Sequence, residues 1–291
     1  MSNFRNLHPI CIFIYFVVVI LLVLICLNPV VMVIACAGAL LFLMEIEGKK
    51  SLNLMKMILP MVLFVSLANP FFNHRGVTRM FKAFGQWLTL EALCYGITSA
   101  LSLAALICWF ACYQKVMTSD KFLYLFGKVA PATSLLISMA LNLVPKLQGQ
   151  LHQIQECQNM LEPETPKTMD KVKKAIRNVS TLLGWSLENT VEQADSMKAR
   201  GYGIRKRTTF HLFRFESRDA KFMVVLLTLA GSCILARILG FGTMEFYPRM
   251  DRLFCNMGEI VFYFLFLVLV CIPGILEWKE EVLWQSYDLN R

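Results

Sequence analysis

At 291 residues, with 57% hydrophobic side chains and a mean hydropathy of +0.56, the chain is too apolar for an ordinary soluble domain. A formal charge of +9 would suit a polyanion binder, but in so apolar a chain the sign of the loops reports membrane orientation and lipid contact, so a nucleic-acid partner is set aside. The ten cysteines lie mostly in apolar stretches with no Cys-x-x-Cys, which argues against a disulfide framework or a metal site.

Crossing a bilayer takes about 20 predominantly apolar residues. Five or six stretches qualify, read as Ile10 to Leu27, Val30 to Ile46, Met55 to Phe72, Leu88 to Tyr113, Phe222 to Phe241 and Met257 to Leu276. The first could pass for a signal peptide, but Leu24-Ile25-Cys26 lacks the small residues of a cleavage site and further spans follow. It is therefore read as retained. The fold class expected is an all-α integral membrane protein with about six transmembrane helices and long cytoplasmic helices.

Basic residues orient these spans. With the N-terminus inside, the cytoplasmic segments are 1–9, 47–54, 114–221 and 277–291, and Lys56 snorkels to the same side. Together they carry 23 of the 29 Lys and Arg, against 5 in the outer loops. This is a strong positive-inside bias, although the long 114–221 segment counts for less than short loops do. A multi-pass plasma-membrane protein with both termini and 114–221 in the cytoplasm is expected. The organisation anticipated is N-terminal membrane helices over 1–120, interfacial and cytoplasmic helices over 121–221, and C-terminal membrane helices with a short tail over 222–291.

The stretch from Phe122 to Leu143 is apolar, but Lys128 and Pro131 interrupt it and Pro145 with Lys146 is expected to end it. Were it a span, the basic 144–221 region and the C-terminal tail would lie on opposite sides. A helix in the interface, or folded back on the bundle, fits better.

From Val144 to Lys221 the composition turns polar, with 14 Lys and Arg against 9 Asp and Glu. A helix over Pro145 to Leu161 is expected, then a turn at Glu162-Pro163-Glu164-Thr165-Pro166. Thr168 or Asp170 can cap the next helix, which runs toward Arg200. Val172, Ile176, Val179, Leu183, Leu187, Thr190, Val191, Ala194 and Met197 recur every three or four residues, as a helix lying on a surface requires. Gly201 follows Arg200 as a helix stop. On this ground alone Arg200 is a cation at a helix C-terminus, worth about 0.3–1 kcal/mol. The same geometry also stands a planar donor fork clear of bulky neighbours, between Ala199 and Gly201, where it could enter a partner's groove.

Three motifs carry a resemblance. Asn69-Pro70-Phe71-Phe72-Asn73-His74-Arg75-Gly76 is similar to the Asn-Pro-Leu-Phe-Asn-His-x-Gly segment of the transmembrane T component of energy-coupling factor (ECF) ABC transporters, the CbiQ-like family. The stretches Leu182 to Glu188 and Ala194-Asp195-Ser196-Met197-Lys198-Ala199-Arg200-Gly201-Tyr202 resemble its coupling region, in the same order and spacing. The resemblance implies a subunit that is no enzyme and holds no cofactor. It would link two ABC ATPase subunits to a small membrane S component that captures a vitamin or metal micronutrient. It further implies that Ala199-Arg200-Gly201 docks in an ATPase groove, with Met197 and Tyr202 beside it. The family's first Ala-Arg-Gly-like tripeptide is not evident: Gln153 to Met160 contains no arginine.

Other readings are weaker. His74 has no partner ligands at metal spacing in His8, His152 or His211, so a loop-shaping role with Asn69, Asn73 and Gly76 is expected. Ala35 with Ala39, and Ala100 with Ala104, place small residues on one helix face, which suits close packing within the bundle or docking of a membrane partner. No phosphate-binding Gly-x-x-x-x-Gly-Lys-Ser/Thr loop is present, so any ATPase is a separate chain. A self-contained secondary transporter would need ionisable residues within spans, where only Glu91 and Arg237 come near. A polytopic membrane enzyme would need converging His, Asp or Glu.

Overall fold

The computed structural model describes residues 4–48, 51–72, 78–83, 86–127, 130–161, 168–204, 213–244, 246 and 257–288. Among them the regular elements are helices and one pair of antiparallel strands. Five helices are long and apolar enough to cross a membrane: α2 (Pro29–Glu47), α3 (Ser51–Phe72), α4 (Leu90–Val116), α8 (Ser217–Ile238) and the first 22 residues of α9 (Met257–Asp288). The apolar α1 (Pro9–Ile25) has 17 residues. The three remaining helices are α5 (Ser119–Gly127), α6 (Pro131–Leu161) and α7 (Thr168–Ala199).

Local chemistry sets several boundaries. At α1 and α2 a proline fills the first turn, where its missing N–H costs nothing. The preceding side chain caps each helix: His8 Nδ1 accepts from the Ile10 N–H at 3.3 Å, and Asn28 Oδ1 from the Val30 N–H at 3.0 Å. Glu216 and Asp219 form a reciprocal capping box at the start of α8. At its end, Gly240 (φ +91°) closes a Schellman motif in which the Phe241 N–H reaches the Ala236 carbonyl at 3.0 Å.

Two expectations need correction. Within 122–143, α5 stops at Gly127 and α6 starts at Pro131, in line with the expected interruption, but Pro145 with Lys146 does not end the helix: α6 runs straight through Pro145 to Leu161. Pro145 removes a single hydrogen bond and crowds the Leu141 carbonyl, but the turns on either side carry the helix past it. The second correction lies between α3 and α4. There β1 (Arg79–Ala83) and β2 (Gln86–Thr89) pair antiparallel, Lys82 opposite Trp87, with an irregularity between Arg79 and Phe81. Phe, Leu, Trp and Thr favour a pleated backbone over so short a run.

The chain divides into two compact units, 1–121 with 213–291, and 122–212. In the first, the N-terminal and C-terminal helices build one core. Phe4, Tyr15, Phe16, Phe42 and Trp109 are buried at its centre, with Phe4 edge-on to Tyr15 at 5.4 Å and to Phe42 at 5.6 Å. The buried Tyr15 hydroxyl donates to the Leu269 carbonyl at 3.2 Å, and Asn28 Nδ2 to the Tyr263 hydroxyl at 2.9 Å, tying α1 and α2 to α9. In the second unit α6 and α7 pack together, and Arg177 Nε donates to Gln158 Oε1 at 3.4 Å. Neither helix is apolar enough to span, though they hold 31 and 32 residues.

Candidate functional site: the tip of α7

Helix α7 opens on Thr168 with Asp170 in its first turn, where a carboxylate complements the helix dipole, and Lys198 lies in its last turn. Interior hydroxyls turn back on the helix, Thr181 to the Arg177 carbonyl at 3.0 Å and Thr190 to the Ser186 carbonyl at 2.7 Å, leaving the outer surface to longer side chains.

The end of α7 is a Schellman motif centred on the tripeptide. The Gly201 N–H donates to the Lys198 carbonyl at 2.9 Å and the Tyr202 N–H to the Met197 carbonyl at 3.0 Å. Gly201 takes φ +82°, a left-handed conformation that a side chain would strain. The Arg200 N–H still reaches the Ser196 carbonyl at 3.2 Å, so the arginine is held by the last helical bond just before the chain reverses. Arg200 and Ala199 are exposed, Met197 is half-buried and Tyr202 is 56% exposed. The tip therefore offers a guanidinium flanked by two small residues, with one thioether and one phenol alongside. Such an arrangement can engage carboxylates or backbone carbonyls of another chain.

The apolar stripe of α7 is open as well. Val172, Ile176, Val179, Leu183, Leu187 and Val191 are each between 51% and 70% exposed, well beyond isolated surface leucines. The stretch in which a first arginine tripeptide would be expected lies inside α6, with Gln158 tied to Arg177 and His152 paired to Glu156 at 3.2 Å. It is a helix side, without a glycine stop, rather than a tip.

At the Asn-Pro motif, Asn69 and Pro70 lie in the last turn of α3 against α4. Asn69 Nδ2 donates to Ser99 Oγ at 3.4 Å, and Ser99 Oγ to the Gly96 carbonyl at 3.0 Å. Gly96 makes the approach possible, since a Cβ there would sit 2.9 Å from the Ser66 carbonyl oxygen and 3.0 Å from Asn69 Cβ. Asn73, His74 and Gly76 lie outside the described residues.

Glu91 and Arg237 sit at helix ends, as do Glu45 near the end of α2 and Lys56 near the start of α3. Glu91, in the first turn of α4, accepts the Thr78 N–H at 3.1 Å together with the Thr78 hydroxyl, and Arg237 lies in the last turn of α8. Ala35, Ala39, Ala100 and Ala104 are all buried within the bundle, so these small faces pack the protein itself. Among the described residues, no three His, Cys, Asp or Glu converge on a metal site.

Sequence reasoning passed over Lys121 and Asp219, both buried at the margins of the membrane-helix unit. The Glu216-x-x-Asp219 spacing ahead of an apolar run is a capping signal that could have drawn attention to Asp219. No comparable signal marks Lys121. The chain matches no protein-family model and no curated protein.

Proposed function

We propose that this protein is the energy-coupling subunit of an ECF-type ATP-driven importer. It would hold six spans in the plasma membrane with both termini inside, and would keep 114–221 in the cytoplasm. Two ABC ATPase subunits would supply the motion and a small membrane S component would capture the micronutrient. The chain itself would catalyse nothing.

The observation that carries this reading is the exposed Arg200 on the Schellman-capped end of a 32-residue helix. A charge at the end of a continuous helix moves with that helix as a rigid body, which a charge on a loose loop does not. Arg200 donates into an ATPase groove, Ala199 and Gly201 keep the approach free, and Met197 and Tyr202 pack at the groove's edge. The strong inward bias of Lys and Arg supports the cytoplasmic side for this tip. A secondary transporter needs ionisable groups deep inside its spans, whereas Glu91, Arg237, Glu45 and Lys56 each lie within about two turns of a helix end.

The test is Arg200→Glu in the full chain co-expressed with candidate ATPases. Membrane insertion stays intact while recovery of the ATPases on the purified subunit falls on the order of tenfold, as reversal of a docking charge implies. Unchanged co-purification would overturn the assignment.

A further inference from the structure

Before α1 the chain makes a short buried segment: Phe4 is 0% exposed, Leu7 3% and His8 4%. Burial of this short non-helical segment needs a reason, since ordering it costs backbone entropy. Its surroundings supply one. The membrane-helix unit releases the chain after Lys121 and receives it again at Phe213, and residues 4–8 meet both places.

At the departure, the Lys121 ammonium donates to the Arg5 carbonyl at 2.7 Å and to the Val116 carbonyl, in the last turn of α4, at 3.1 Å. At the return, Asp219 accepts the His8 N–H at Oδ1 over 3.3 Å and the Glu216 N–H at Oδ2 over 3.0 Å. Rings extend the second contact, with His8 5.4 Å from Phe215 and Phe4 6.1 Å from Phe222.

Lys121 is 8% exposed and Asp219 3%. Burying an ammonium or a carboxylate is costly unless hydrogen bonds replace the lost water. Apolar side chains would fill these positions at less cost. What the charged groups add is direction: each fixes one backbone amide or carbonyl of the same short segment by a charge-assisted bond. An apolar contact could slide, and these bonds cannot without breaking.

We propose that residues 4–8 are a brace that joins the two roots of the 122–212 unit, at Lys121 and at Asp219, into a single mount. Loosening one root then loosens the other, although the two residues stand 98 positions apart in sequence (219 minus 121) and share no direct bond. The brace stands on the contacts of the membrane-helix unit alone. It does not require the ATPase reading.

Hydrogen–deuterium exchange of the full chain in detergent or nanodiscs tests it, with Lys121→Gln and Asp219→Asn as separate variants. Lys121→Gln raises amide exchange on the order of tenfold around residues 117–123 and also around 214–220, while the centres of α2 and α4 keep their protection. Asp219→Asn likewise raises exchange around both 214–220 and 117–123. Faster exchange confined to the substituted root would overturn the brace. So would a general loss of protection in α2 and α4, which would mean that these groups support the whole bundle rather than a mount. Should one variant fail to accumulate, the other decides alone. Neither outcome touches the Arg200→Glu association experiment, so the two readings stand or fall separately.

Discussion

The indole N–H of Trp109 on α4 donates to the backbone carbonyl of Ala35 on α2 over 3.2 Å, in a fully buried contact. One turn further along each helix, the Cys112 thiol meets the Ala39 carbonyl at 3.5 Å. The two alanines thus do more than let the helices approach. Lacking bulk, they leave their carbonyls open to side-chain donors from the neighbouring helix, in a setting where no water competes.

Ala35→Leu should therefore destabilise the bundle by about 1–3 kcal/mol, because the added methyl groups have no space beside Trp109. Trp109→Phe, which removes the donor but keeps most of the ring, should cost about 1 kcal/mol. Thermal denaturation in detergent checks the order of the two; equal melting temperatures for wild type and Ala35→Leu would contradict it.

Glycines on different helices should respond with opposite sign. Gly96→Ala places a Cβ 2.9 Å from the Ser66 carbonyl oxygen and must push α3 from α4, for a loss of about 1–3 kcal/mol. Gly184→Ala, in α7 with nothing within 4 Å of the new atom, should stabilise that helix by about 0.5–1 kcal/mol. Melting curves of both variants, read beside circular dichroism, separate the two cases.

Gly201 is held at φ +82° by the helix-terminating bonds. Gly201→Val forces a β-branched residue into that region, at a cost of about 1–2 kcal/mol. The last turn of α7 should fray, seen as faster amide exchange at Arg200 to Tyr202, while exchange in the middle of α7 stays unchanged. Equal protection at Tyr202 in the variant would show that another conformation ends the helix as well.

Lys121 makes one pH response specific. Burial, with Arg5 nearby, lowers its ammonium below the ordinary value of 10.5. The folded protein then holds this proton less tightly than the unfolded chain does. The resulting cost is complete below the lowered value and fades as pH climbs from there toward 10.5. Wild type should gain stability relative to Lys121→Gln as pH rises through that window. A difference in melting temperature that stays flat from neutral to alkaline pH would rule this out.

The amino-acid order alone determined where apolar runs are long enough to cross a bilayer, because hydrocarbon admits only backbones that satisfy themselves. It also determined the stop at Ala199-Arg200-Gly201, since a glycine after a periodic helix is a local signal whose bonds close within one turn. Tertiary structure alone decided that Pro145 sits inside a helix, that strands pair before α4, and that Gly96 is the place of closest approach to Asn69. It likewise brought Arg5 to Lys121 and His8 to Asp219. These depend on contacts between residues far apart in the chain, and neither periodicity nor capping chemistry carries information across such a distance.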